Sequence, residues 1–184
     1  MQLTLLKLAI IFFPYLFTTS NINWKVESSE IIFSIKYAGS VVTGTFSGLV
    51  ADIKFDPLKP ENASIKASVD AKTIETGIGL RNRDLRNNFF EADIYPKITM
   101  QSTKIEKTSP DNYLGTFNLT MKNVTKEIKL PFIFTKTNER AQFKGSFSLK
   151  RLDYGVGEKR LSMSDNVDIG IIVVVSENVI SAKE

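Results

Sequence analysis

Apolar and polar residues alternate along most of this chain with a period of two. From Ile31 onward, Phe33, Ile35 and Tyr37 are interleaved with Ser34 and Lys36, and Ala63, Ile65, Ala67 and Val69 with Ser64, Lys66 and Ser68. The rhythm returns in Ile128-Leu130-Phe132-Phe134 and in Phe143-Gly145-Phe147-Leu149. Side chains on a strand point alternately to opposite faces, so each run predicts a strand with one apolar and one polar face. Antiparallel strands wetted on one side read this way. Turn residues separate the runs at Asp56-Pro57, Lys59-Pro60, Ser109-Pro110-Asp111-Asn112 and Asn138-Glu139. Three strands share a Gly-x-Phe step, at Gly44-Phe46, Gly115-Phe117 and Gly145-Phe147. A glycine two residues from a ring lies on the same face, where it lets the strand bend and leaves room beside the ring. The run Val167 to Val175 is apolar in both phases after Gly170. Either another element covers its outer face or it meets a second subunit. Eight or nine such strands predict an up-and-down barrel, with a two-sheet sandwich as the competing arrangement.

One stretch breaks the alternation. Leu80 to Ile98, LRNRDLRNNFFEADIYPKI, packs charged and amide residues around Leu85 and ends in a Phe pair and Tyr95-Pro96. Leu85 and Phe89, four apart, predict one face of a short helix. Tyr95, preceding a proline, is biased to extended backbone and sets the entry to the next strand. The N-terminus is also distinct: Lys7, an apolar run from Leu8 to Phe17, then small polar residues. This order predicts a signal peptide over residues 1–20 and a single mature domain over 21–184. The apolar run is too short to span a bilayer core of about 30 Å at ~1.5 Å per helical residue.

Composition narrows the chemistry. The chain has no histidine and no cysteine among 184 residues. That removes Ser-His and Cys-His nucleophile pairs, Cys/His zinc sites, and His-ligated haem or copper. An exported chain without cysteine has neither disulfides nor a lipidated cysteine, so its stability rests on its core, and a bacterial periplasm or exterior is the expected location. The net charge of +4 is spread along the chain, without the basic helix or aromatic-basic patch of a nucleic-acid reader. Ser-x-Lys pairs at Ser34, Ser64, Ser102 and Ser148 have strand spacing and read as solvated surface. Gly77-x-Gly79 meets Asn82 where a dinucleotide loop needs its third glycine. Glu158, Asp165 and Asp168 match no cation-binding loop. Asn-x-Ser/Thr triplets at Asn62, Asn118 and Asn123 matter only in a eukaryotic secretory pathway. No cofactor or metal is expected.

Several segments together resemble the YceI family of lipocalin-like proteins. They are Thr76-Gly77, Arg83-Asp84-Leu85, Phe89-Phe90, Tyr95-Pro96-x-Ile98 and Ser102-Thr103. Outward from these, Trp24, Ile31-x-Phe33-x-Ile35-x-Tyr37, Gly44-x-Phe46, Leu119-Thr120, Val124-Thr125-Lys126 and Arg151-x-Asp153-Tyr154-Gly155 are similar to further family elements. Asn88, Met100 and Asn123 depart from the family's usual Asp, aromatic and Gly. The resemblance implies an all-β, antiparallel, eight-stranded lipocalin-like barrel with a short helical insert around residues 79–91. It implies a polyisoprenoid, isoprenoid quinone or fatty-acid derivative held inside, without catalysis. An eight-stranded barrel has room for one slender ligand. Each buried CH₂ contributes ~0.8 kcal/mol, so ten to twelve buried carbons give roughly 8 to 10 kcal/mol before binding entropy is subtracted.

The candidate ligand-facing residues are the apolar phase of the strands: Phe33, Ile35, Tyr37, Phe46, Phe55, Ile98, Met100, Phe117, Phe132 and Phe147. For any single one, packed core is the alternative. Leu85, Phe89 and Phe90 are candidates for a lid or end wall, and Arg81, Arg83 and Arg86 for a polar headgroup. Structural arginines are the alternative there, with Arg83 paired to Asp153. The expected partner is a long-chain lipid and not a nucleic acid; transient membrane contact and a homodimer are compatible with the pattern. Two rival functions stand beside the carrier: an enzyme acting on such a lipid within the barrel, and a solid-core barrel serving assembly.

Overall fold

The computed structural model describes residues 22–178. The segment read as a signal peptide lies outside the described residues. Nine strands follow in order: β1 (Asn23–Tyr37), β2 (Ser40–Phe46), β3 (Val50–Lys54), β4 (Ser64–Asp70), β5 (Lys97–Ser109), β6 (Asn112–Met121), β7 (Val124–Thr137), β8 (Arg140–Lys150) and β9 (Met163–Glu177). Each pairs antiparallel with its neighbour, and β1 also pairs with β9 from Trp24 opposite Glu177 to Tyr37 opposite Met163. The sheet therefore closes into a barrel, and the sandwich is excluded.

The nine strands fill eight positions around the barrel. β2 and β3 both pair with β1 in one continuous register, Ile31 opposite Phe46 and Trp24 opposite Ile53. Ser47-Gly48-Leu49 interrupts what is otherwise a single strand, with Gly48 at φ 71. Two bulges keep apolar side chains inside as the strands curve. In β1 the register shifts between Val26 and Ser28, so Trp24 and Val26 face inward below it and Phe33 and Ile35 above it. In β5 the shift falls between Ser102 and Lys104, and the inward set changes from Ile98 and Met100 to Ile105.

The Gly-x-Phe steps turn out to have different partners. A Cβ on Gly115 would lie 2.2 Å from the Phe117 ring, as expected from their shared face. At Gly44 the ring that needs the space is Phe33, across the β1–β2 pair. Gly145 makes room for the β7 backbone at Pro131 and not for Phe147. Closing a small sheet forces neighbouring backbones and rings together, and these three positions absorb that crowding. β9 is hydrogen-bonded on both flanks, by β8 and β1, so it leaves no free edge. Val167, Ile169, Ile171 and Val173 are its inward phase; Ile172 and Val174 are half-buried on the outer phase.

One end of the barrel is plugged by rings. Trp24, Phe55, Tyr113, Phe132, Phe134 and Phe143 pack there with centroid separations between 4.8 and 6.0 Å. Their polar atoms are used: the Trp24 indole N–H donates to the Phe55 carbonyl at 2.9 Å, and the Tyr113 hydroxyl to the Pro57 carbonyl at 3.3 Å. The opposite end carries the β4–β5 insert, with a short helix α1 (Gly79–Asp84) continuing into one π-helical turn over Leu85–Phe89.

Candidate functional site

A cavity of about 820 Å³ runs inside the barrel from the aromatic plug to the insert end. Small-molecule sites span roughly 300–1,000 Å³, so there is room for a sizeable ligand. Its wall is almost wholly aliphatic and aromatic. Many inward residues, among them Ile35, Phe46, Met100, Phe147 and Ile171, are only half-buried although they face the barrel axis. They pack against core neighbours on one side and border open space on the other. Cross-strand neighbours Ala51 and Ala67, with Met100 beside Ala67 on β5, widen the middle of the cavity because two of the three side chains are small.

The sequence-derived candidates fall mostly on this wall. Phe33, Ile35, Tyr37, Phe46, Ile98, Met100, Phe117, Phe132 and Phe147 border the cavity, as do Leu85, Phe89 and Phe90 from the insert. Phe55 does not. It is fully buried at the centre of the aromatic plug, touching Tyr113, Phe132, Phe134 and Phe143. Periodicity assigns it to the inner face correctly, but its depth along the axis makes it floor material.

The insert is pinned at several points. The Thr45 and Glu75 backbones exchange two hydrogen bonds, of 2.8 and 3.0 Å, which ties its start to β2. Asn82, only 3% exposed, accepts from the Thr76 backbone N–H at 2.9 Å and from the Thr76 hydroxyl at 2.7 Å. Its amide donates to the Glu75 carboxylate at 2.5 Å. That bond, with N–H groups of Gly77 and Thr76, holds the Glu75 carboxyl below the usual range. The residue that spoils the dinucleotide motif is thus the local keystone. Beyond it the expected α-turn is a π-turn, with the Phe90 N–H reaching the Leu85 carbonyl at 2.8 Å. The wider turn aims both phenylalanines into the barrel. Phe89 packs with Leu119, Met121, Tyr154 and Val156, and Phe90 meets Phe46 edge-on at 5.7 Å. Gly157 passes so close to Phe89 that a Cβ there would sit 2.4 Å from the ring.

The three arginines separate. Arg81 and Arg83 border the mouth of the cavity. Arg81 donates to the Thr76 hydroxyl and carbonyl, at 2.9 and 3.1 Å. Arg83 is exposed and makes no ion pair among the described residues; Asp153, its expected partner, lies beside Lys126 at 3.9 Å. Arg86 is away from the cavity wall and donates to the Ile74 carbonyl at 3.0 Å, which makes it a brace within the insert.

Two cations stand outside the sequence-derived candidate site: Arg160, which no motif marked, and Arg151, noted only within the Arg151-x-Asp153-Tyr154-Gly155 element. Arg160, from the β8–β9 loop, lies over the Phe89 ring at 5.5 Å and borders the mouth. Arg151, 3% exposed, donates to the carbonyls of Ser164, Val156 and Glu158 at 2.9–3.0 Å and reaches Asp165 at 3.3 Å. Burial lowers its pKa, and Asp165 works against that shift. The missed inward phase of β9, Val167, Ile169, Ile171 and Val173, forms another part of the wall. Glu158, Asp165 and Asp168 do not converge: Asp165 meets Arg151, and Asp168 accepts from the Ser148 hydroxyl.

A closed antiparallel barrel with an apolar interior, plugged at one end and capped by a short helical insert at the other, defines a lipocalin-like architecture. Residues 23–175 match the YceI-like domain model, and the chain belongs to that family. Among its curated relatives, a UPF0312 protein of Azotobacter vinelandii is 28% identical over 155 residues, covering 80% of this chain and 81% of that one. Among solved structures, BcnA of Burkholderia cenocepacia superposes with a TM-score of 0.76 at 24% identity, covering 79% of this chain and 95% of that one. A polyisoprenoid binding domain from Saccharophagus degradans, implicated in plant cell wall breakdown, superposes with a TM-score of 0.67 at 15% identity, covering 85% and 98%.

Proposed function

We propose that the protein is a non-catalytic carrier that binds a polyisoprenoid, isoprenoid quinone or fatty-acid derivative inside the barrel, after export to a bacterial periplasm or exterior. The observation that carries this reading is the elongated apolar cavity of about 820 Å³, bordered on its wall by aliphatic and aromatic side chains. Such a cavity rewards chain length and little else, because each CH₂ withdrawn from water contributes ~0.8 kcal/mol. The structural likeness to a polyisoprenoid binding domain supports the same ligand class. Asp84, the carboxylate at the cavity border among the described residues, accepts from the Asn88 amide at the mouth, with no second described carboxylate on the wall. That arrangement supports binding over acid-base turnover, which needs paired, environment-tuned groups. The N-terminal apolar segment and the absence of cysteine support export.

The test is calorimetric titration with a homologous series of polyprenyl phosphates, quinones and fatty acids, with each lipid analysed for conversion afterwards. Affinity that climbs with chain length, and lipid recovered unchanged, is the expected result. Lipid recovered cleaved or transferred supports the enzyme instead. No binding by any series contradicts the carrier.

A further inference from the structure

Exposed apolar side chains are unevenly placed on this barrel. Tyr37, Val41, Ile78, Leu80, Ile94 and Leu161 stand at the open end; Ile32, Val50, Val124 and Ile133 are spread over the strands, and Leu58 lies at the plugged end. Leu80 is 75% exposed and Leu161 fully so. Single exposed leucines are ordinary, but here Leu80 borders the mouth of an apolar cavity and Leu161 follows Arg160, which borders it too. The insert and the β8–β9 loop bring them together. Ile78, Leu80, Arg81 and Arg83 come from the insert, and Arg160, next to Leu161, from the loop, all five of the bordering side chains meeting one cavity. The Ala38 N–H, bonded to the Ser162 carbonyl at 2.7 Å, fixes that loop to the β1–β2 hairpin bearing Val41.

The charge at this rim has one dominant sign. Arg83 and Arg160 make no ion pair among the described residues, and exposed Lys159 adjoins Arg160. The nearby carboxylates are mostly engaged: Glu75 is held by Asn82 and Gly77, Asp84 by Asn88, Glu91 pairs with Lys122, Asp93 with Lys72, Asp165 with Arg151, and Asp153 lies beside Lys126, which leaves exposed Glu158. We propose that the open end is a docking face for an anionic lipid bilayer: Leu80 and Leu161 enter the acyl region while Arg83 and Arg160 meet lipid phosphates. Apolar side chains surrounded by unpaired guanidinium groups match such a surface. A second copy is the poorer match, since a symmetric rim-to-rim pair opposes arginine to arginine. This proposal rests on the carrier reading, because docking places the mouth where an apolar cargo crosses without entering water.

The chain's lack of cysteine permits a direct test. Single variants Leu80→Cys, Leu161→Cys and, at the plugged end, Leu58→Cys are labelled with a nitroxide on protein recovered from an exporting host. Membrane depth is then read by spin-label accessibility on phosphatidylcholine vesicles with and without phosphatidylglycerol. The expected result is immersion of the labels at 80 and 161, water exposure at 58, and dependence on phosphatidylglycerol. Arg83→Gln with Arg160→Gln should weaken binding on the order of 30-fold, from about one surface charge's worth of attraction each. Equal depth at all three sites, or none at the mouth, overturns the proposal. So does dipolar coupling between mouth labels without vesicles, which assigns this face to self-association. Cargo retained in the labelled proteins by native mass separates a failure of docking from a failure of the carrier reading.

Discussion

Ala67→Phe places a ring in the middle of the cavity. Ala67 sits on β4 opposite Ala51 and Met100, between the aromatic plug and the mouth, and its side chain borders open space. The added ring occupies room for roughly six ligand carbons, so a chain that threads past this point forfeits up to about 5 kcal/mol, a factor of thousands in affinity. A short chain that stops above the ring loses little. In a packed core such an enlargement costs about 1–3 kcal/mol of stability. Here the space is already present, so the melting temperature should hold or rise. The assay is titration of wild type and variant with saturated fatty acids of graded length, beside a thermal melt. The expected signature is a ceiling in chain length that appears only in the variant. Uniform weakening at every length, or a lowered melting temperature with an unchanged length profile, would refute the claim that this space holds the chain.

Further outcomes follow from the supports of the site. Arg151→Met strands the carbonyls of Val156, Glu158 and Ser164 and should cost roughly 3 kcal/mol in denaturant unfolding, with faster hydrogen exchange across the β8–β9 loop; a change below about 0.5 kcal/mol contradicts its bracing role. Gly115→Ala drives a methyl into the buried Phe117 ring and should destabilise by about 1–3 kcal/mol, whereas Gly39→Ala, whose Cβ would meet no atom within 4 Å, should show only the smaller strain of its positive φ. Glu75 has a depressed pKa, so its anchoring of the insert is present above the ordinary carboxylate value of 4.5 and is lost as pH falls through its lower folded value. Hydrogen exchange of residues 75–90 should therefore accelerate in that acid window in wild type, and Glu75→Gln should remove the transition; an identical pH profile in both proteins contradicts the assignment.

The strands were legible because closure of an antiparallel sheet imposes one rule, period two, and Phe33, Ile65, Phe132 and Phe147 obey it locally. Periodicity reports the face of a residue and not its depth along the barrel. Phe55 and Phe132 have the same phase logic, yet Phe55 ends inside the plug while Phe132 also borders the cavity. β9 hid its wall residues because Ile172 and Val174 make its outer phase apolar too. Arg160 carried no local signal. It reaches the mouth only because Arg151 organises a loop whose path is set by three backbone carbonyls, and because Phe89 offers it a ring. The π-turn was equally hidden, since the spacing of Leu85 and Phe89 is what an ordinary helical turn requires.

Native mass spectrometry of the protein, recovered from its exporting host without detergent, tests the central claim most directly, when followed by organic extraction of whatever is bound. A carrier with this cavity should fly with one apolar molecule attached, released on extraction as a long-chain lipid, and Ala67→Phe should shift the bound population to shorter chains. A bare mass that no added prenyl or acyl lipid changes would contradict the account.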